Sequence, residues 1–144
     1  MNHTHTIKLD IVSAEGAIFH DDVKFVSVTG SAGELGIAPH HSPLLTSLKP
    51  GQIRATLKDD TIAVFYVSSG MLEIQPQMIS ILADTALRAE DLDEAAAITA
   101  SEKAEKILQE KTAGVEYSRA LSELAEAAAQ LRAITMLKDK LNKH

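Results

Sequence analysis

The chain has 144 residues and 15.5 kDa, the size of one domain or of one small domain with an appendage. Hydrophobic residues make up 45% and charged residues 24%, so a core can form and compositional disorder is excluded. A net charge of −6 and an aromatic content of 3% exclude a general nucleic-acid binder, which needs a basic face or stacking platforms. The absence of cysteine removes disulfides, thiolate nucleophiles and Cys-ligated metals.

Residues 1–8 carry His3 and His5 but no apolar segment of the secretory type. No apolar run approaches the ~18 residues of a membrane span, so membrane contact is expected only through a partner.

From Ile7 onward apolar and polar residues alternate with period two. Ile7, Leu9 and Ile11 stand against Lys8 and Asp10; Ile53, Ala55 and Leu57 stand against Arg54, Thr56 and Lys58. Similar runs cover 23–29, 61–68, 71–75 and 78–83. Turn signals are read between them at 30–36, at Lys49-Pro50-Gly51, at Asp59-Asp60 and at Pro76-Gln77. Many short strands without an intervening helical period predict an antiparallel sandwich or flattened barrel.

Composition breaks near residue 84. All four prolines and six of the seven glycines precede it, whereas alanine rises from 7 in residues 1–83 to 14 in the remaining 61. Asp91 with Glu94 forms a capping-box pattern, and Ala97, Ala100, Ala104 and Leu108 then recur at helical spacing, predicting a helix over 91–111. Thr112-Ala113-Gly114 closes it, with Gly114 as the left-handed C-cap. Ser118 is read as the N-cap of a second helix with the stripe Leu121, Leu124, Ala128, Leu131, Ile134, Leu137 and Leu141. The expected class is α+β, with a β-sandwich over 1–86 and an antiparallel helical hairpin over 87–144.

The first helix offers mainly alanine, which buries less area than leucine, so docking is expected to be weak. Ala, Leu, Glu, Lys and Gln nevertheless favour helix locally. That pairing suits a movable arm, and it also fits a hairpin packed statically on the sandwich.

Catalytic signals are few. No G-x-S-x-G run provides a serine nucleophile, and the glycine-rich segment 30–36 lacks the Gly-Lys-Ser/Thr of a phosphate loop. His40, His41 and Glu34 compose the one enzymatic alternative, a small β-barrel metal enzyme, although neighbouring strand residues point to opposite faces. His3-x-His5 is a second His pair. At the other end, residues 127–144 hold Arg132, Lys138, Lys140 and Lys143 against Asp139 alone, whereas 84–126 hold 11 acids against 5 bases. Such a basic end complements a helix dipole or meets an acidic partner.

The strings Val28-Thr-Gly-Ser-Ala-Gly-Glu-Leu-Gly-Ile37, Pro39-His-His-Ser-Pro-Leu-Leu45, Lys49-Pro-Gly51, Ser69-Gly-Met-Leu-Glu-Ile-Gln-Pro76 and Leu82-Ala-Asp-Thr-Ala-Leu-Arg-Ala-Glu-Asp-Leu-Asp-Glu-Ala95 resemble the epsilon subunits of bacterial F-type ATP synthases. The resemblance implies a sandwich of about ten short strands that grips the gamma shaft and sits on the c-ring. It also implies a helix pair that lies on the sandwich or extends towards the catalytic alpha and beta subunits. The subunit so implied is not catalytic: it couples ring rotation to ATP synthesis and inhibits ATP hydrolysis, peripherally on the cytoplasmic face of the bacterial inner membrane. Ser13, Glu34 and His41 fall at the family's c-ring contacts, and Arg132, Lys138 and Lys140 in the helix that faces a catalytic subunit. Nucleotide-binding members carry Ile/Leu-Asp-x-x-Arg-Ala at the start of the first helix. Here Leu92-Asp93 is followed by Ala96 in the arginine position, so Asp93 is the only motif carboxylate left, ATP binding is in doubt, and no cofactor is expected.

Overall fold

The computed structural model describes residues 5–110 and 113–141. Eight strands come first: β1 (Ile7–Ser13), β2 (Gly16–Gly30), β3 (Gly33–Ile37), β4 (Leu44–Leu57), β5 (Ile62–Val67), β6 (Gly70–Gln75), β7 (Met78–Ala83) and β8 (Ala86–Arg88). A 3-10 turn (Ala89–Asp91) leads to α1 (Glu94–Glu110) and α2 (Val115–Leu141). The last strand thus carries the sandwich two residues past the boundary drawn at 86.

Strand order is β3-β2-β1-β7-β6-β4-β5-β8, and β2 also pairs with β4, which closes five of the strands into a ring. All pairings are antiparallel except β1 with β7, which are parallel. Two long strands make the closure possible. The first half of β2 pairs with β1 and its second half with β3 and β4; β4 pairs first with β6 and then with β5. Counting each long strand twice reconciles eight continuous strands with about ten short ones.

The bends sit where two turns were expected. Lys49-Pro50-Gly51 lies inside β4, between its pairing with β6, which ends at Leu48, and its pairing with β5, which begins at Gly51. Proline donates no ladder hydrogen bond, so it fits a corner where the strand changes partners. Gly51 lets β4 cross β2, since a Cβ there would stand 2.4 Å from the Thr29 Cβ. Likewise segment 30–36 is not one loop: only Ser31-Ala32 turns the chain, and Gly33 to Ile37 form β3.

Inside the ring, Ile7, Leu9, Ile11, Val23, Val26, Val28, Ile53, Phe65, Val67, Leu72 and Ile81 form one continuous core, the inward half of each alternating run. β5 differs because four consecutive residues, Val64 to Val67, are buried. Phe65 and Val67 face the core, while Val64 and Tyr66 face outward into a second cluster with Ala89, Ala129 and Ala133. α2 covers this outer face, and α1 packs on α2.

Three helix expectations are corrected. The N-cap of α1 is Asp93, not Asp91: its Oδ1 accepts the Ala96 N–H at 3.0 Å, and Asp91 belongs to the preceding 3-10 turn. α2 begins at Val115, and Ser118 sits in its first turn with its N–H donating to the Gly114 carbonyl at 3.0 Å, so Gly114 (φ 100°) starts α2. The Leu121–Leu141 stripe is buried only in part. Ile134 is buried, but Leu121 is 46% and Leu141 65% exposed, and the other buried positions of α2 are alanines, Ala120, Ala127, Ala129 and Ala133. A helix wedged between α1 and a sheet needs close approach on two sides, which small residues permit. Thr112 lies outside the described residues.

Gly70 offers a sharp test of the ring. A Cβ there would stand 2.0 Å from the Leu82 carbonyl oxygen, in the backbone of the paired strand β7. Gly70→Ala must push β6 off β7, at a cost of about 2 kcal/mol or more. Urea unfolding should show a lower midpoint; an unchanged midpoint would mean that the strands part freely there.

Candidate functional site

The three residues aligned with ring contacts occupy different settings. Glu34 opens the edge strand β3 and accepts a hydrogen bond from Ser27 Oγ at 3.1 Å. His41 follows the end of β3, and its Nδ1–H donates to the Ser42 carbonyl at 2.7 Å. Glu34 and His41 therefore flank one exposed edge. Ser13, the last residue of β1, differs from them in being buried: its hydroxyl accepts the Glu15 N–H at 3.2 Å and donates to the Gly16 carbonyl at 3.4 Å.

The metal-enzyme alternative fails on geometry. His40 and His41 lie in a turn and not on a strand; His40 has φ 66°, and its ring meets the His5 ring edge-on with centroids 6.3 Å apart. Among the described residues no group of three or more His, Asp or Glu side chains is placed to hold a metal ion. His3 lies outside the described residues.

The two outer faces of the sandwich differ. One carries α2. On the other, Leu82 pairs with Met71 and Val12, and Leu45 lies on the neighbouring strand β4. Leu82 is 61%, Leu45 64% and Met71 43% exposed, so apolar side chains stand bare on this face, beside Glu73, which pairs with Leu45.

Under α2 the sheet and helix enclose a polar cleft of about 220 Å³ lined by Tyr66, Ser68, Ser69, Asp84, Thr85, Glu126 and Gln130. Ser69 Oγ donates to Asp84 Oδ2 at 3.1 Å, and the Thr85 N–H donates to Ser68 Oγ at 2.8 Å. Burial, reinforced by the charge of Glu126, pushes the Tyr66 phenol up to about 12, although a hydrogen bond with Gln130 opposes the shift. Neither Tyr66 nor its cleft stands out in the sequence: the run 61–68, grouped there with the alternating strands, is in fact apolar at every position from Ile62 to Val67 and buried on both faces from Val64 on.

At the arm's ends, the Asp93 carboxylate is engaged in capping α1, and exposed Ala96 offers a methyl group where a guanidinium would reach phosphate. Lys138 Nζ lies 2.7 Å from Glu94 Oε2, Lys140 Nζ donates to the Ile62 carbonyl, and Arg132 is exposed. Lys143 lies outside the described residues.

Comparison with known proteins decides the family. The beta-sandwich domain of the ATP synthase Delta/Epsilon chain matches residues 6–89, and the long alpha-helix domain of the same chain matches 90–135. The chain belongs to the ATP synthase delta/epsilon-chain family. ATP synthase epsilon chains of Legionella pneumophila strains Corby and Lens are each 52% identical over 136 residues, covering 94% of this chain and 97% of theirs. Among solved structures, a chain of the Euglena gracilis mitochondrial ATP synthase shares the fold with a TM-score of 0.82 at 18% identity, over 93% of this chain and 84% of that one. A chain of the Tetrahymena thermophila mitochondrial enzyme does so with a TM-score of 0.60 at 11% identity, over 89% and 96%. Membership makes this epsilon-type chain a non-catalytic rotor subunit of an ATP synthase, not an enzyme in itself. Among the described residues no helix is long and apolar enough to cross a membrane.

Tyr66 gives a pH test of the helix–sheet contact. Its phenol holds its proton more tightly folded than unfolded, so its contribution to docking is complete below about pH 10 and is lost as pH rises through about 12. Alkaline titration followed by tyrosinate absorbance should show one late-ionising tyrosine that is missing in Tyr66→Phe. If Tyr66 ionises at the ordinary value, the face under α2 is open to water.

Proposed function

We propose that the chain works in the central stalk of a rotary ATP synthase, its sandwich bound to the gamma shaft and resting on the c-ring, and its helical hairpin serving as an arm that restrains ATP hydrolysis. The observation that carries this reading is the contrast between the two faces of the sandwich. One face is apolar and bare at Leu45, Met71 and Leu82, and the other is covered by a hairpin whose fully buried contacts with β5 are the alanines Ala129 and Ala133, with Met136 and Leu137 only partly buried. The first face suits a lasting partner, assigned to gamma; the second contact is weak enough to open. The Tetrahymena neighbour is a chain of a central stalk and c-ring assembly, which agrees with this placement.

The exposed β3 edge, with Glu34 and His41, is assigned to the polar loops of the c-ring. Buried Ser13 supports that end of the sandwich by holding the β1–β2 turn. Membrane contact is then made through the complex alone, on the cytoplasmic face of the bacterial inner membrane, and nucleic acid has no part in it. Residues up to the 3-10 turn form the assembly unit, and residues beyond it the arm.

Helices of 17 and 27 residues span about 26 and 40 Å at ~1.5 Å per residue, so an opened hairpin reaches on the order of 65 Å. That brings Arg132, Lys138 and Lys140 to the catalytic alpha and beta subunits, where an acidic surface is their complement. Changing all three to glutamate should relieve inhibition of ATP hydrolysis in the assembled enzyme while gamma binding survives. The ATPase rate is compared with the unmodified complex and with one lacking residues 119–144. If the truncation activates the enzyme and the charge reversal does not, apolar contacts of α2 carry the inhibition; if neither activates it, the arm has no inhibitory role.

With Asp93 engaged as a cap and Ala96 lacking a guanidinium, no ATP site is assigned. ATP should leave the melting temperature of the isolated chain unchanged, since a ligand stabilises only as RT ln(1 + [L]/Kd). A clear ATP-induced rise would restore the nucleotide site.

A further inference from the structure

The basic end of α2 is already occupied in the folded arm. Lys138 in the last turn of α2 pairs with Glu94 in the first turn of α1, at 2.7 Å across the open end of the hairpin. The antiparallel arrangement puts the negative end of one helix dipole beside the positive end of the other. Glu94 and Lys138 each complement their own helix end as well as one another. Two residues on from Lys138, Lys140 donates to the carbonyl of Ile62, the first residue of β5. Met136 and Leu137, just before these lysines, pack with Ile62 and Leu92 against the cluster of Val64, Tyr66, Ala89, Ala129 and Ala133. The last two turns of α2 are therefore fastened to α1 and to the sandwich at once, and no other ion pair between the helices is found among the described residues apart from interactions at Glu116.

We infer that Lys138 and Lys140 form a latch that closes the arm, with Glu94 and the Ile62 carbonyl as its keepers, and that an acidic partner surface opens the arm by competing for these same lysines. This inference rests on the arm reading above. Exposed Arg132 makes no ion pair among the described residues, so it is the cation available for first contact with that surface. In the closed arm both lysines are held at the first turn of α1 and the start of β5, away from a surface that only the opened arm reaches, so latch and partner contact exclude each other. A closed arm thus hides two of the three charges that its open form presents, and the acidic surface acts as a ligand that binds the open state alone.

The test uses the full chain, which contains no native cysteine, with spin labels at Gln77→Cys in an exposed sandwich turn and Ser122→Cys on the exposed side of α2. The measured quantity is the ratio of long to short label distances. Glu94→Ala and Lys138→Ala should each raise that ratio roughly two- to fivefold, the range for an exposed ion pair, and the double variant should raise it no further than either single one. Lys140→Met keeps the apolar stem, removes the donor, and should add an increase of its own. Multiplicative effects of Glu94→Ala and Lys138→Ala would overturn the latch, because uncoupled residues are not paired. Ala133→Asp, which puts a charge into the buried contact with β5, separates the remaining cases. If it opens the arm while Glu94→Ala does not, the latch is wrong and the arm reading stands. If every variant, Ala133→Asp included, shows only the short distance, both are wrong.

Discussion

The contact on which this molecule's behaviour turns is that between α2 and the outward side chains of β5. Val64 and Tyr66 meet Ala129 and Ala133, so the helix backbone lies close to the sheet while little apolar area changes hands. A buried methyl group contributes about 0.8 kcal/mol, against 1.5–3 kcal/mol for a buried leucine or phenylalanine. The ring core, built from isoleucine, leucine, valine and phenylalanine, is bound on a different scale. One chain thus contains a sandwich that holds its shape and a hairpin whose attachment is comparable to a few surface interactions.

The sandwich owes its closure to two strands that serve two sheets each. A strand that changes partners must bend: in β4 the bend falls at Pro50 and Gly51, where a donor and a side chain are missing, and in β2 the register with β4 shifts between Val23 and Phe25 and again between Val28 and Gly30. Arg88 ties the last strand back. Its guanidinium lies 5.4 Å from the Phe65 ring centroid and 5.8 Å from that of Phe19, and it donates to the Ile18 carbonyl at 3.2 Å. The end of the sandwich is therefore held to β2 and β5 before the chain enters α1, so strain from a moving hairpin meets a fixed anchor.

Much of this was legible in the residues. Alternation in Ile7–Ile11 and Ile53–Leu57 located core strands, because one face of each is buried and the period of two is then enforced. The break at residue 84 separated sheet from helix because alanine favours helix while proline and glycine punctuate strands. Glycine and proline misled where their roles changed. At Lys49-Pro50-Gly51 the signal of a turn was that of a corner inside a strand, and local composition does not distinguish the two. The leucine stripe of α2 misled at its two ends, Leu121 and Leu141, for another reason. Periodicity reports which face is apolar, not how near the neighbouring backbones come, and here nearness selected Ala129 and Ala133 for the interior. Glu94 as the partner of Lys138 was hidden by 44 residues of separation, and only the antiparallel packing brings them together. Tyr66 was hidden by its own neighbours, since a strand covered on both faces shows no alternation to mark which residue faces the helix.

Weak docking and strong intrinsic helicity are complementary requirements for an arm of this kind. A hairpin that unfolded on leaving the sandwich would lose helix and contact together, at a cost rising by about 1–2 kcal/mol for every residue whose backbone was freed. Alanine, glutamate, lysine and leucine keep the segment helical when it is detached, so leaving the sheet costs the contact of Ala129, Ala133, Met136 and Leu137 with β5 and the polar fastening at its end, and not the helix itself. The barrier to movement is then confined to a small set of residues near Ile62, Leu92 and Glu94. A few charges on a partner suffice to change the balance there, and the sandwich can keep hold of its own partner throughout.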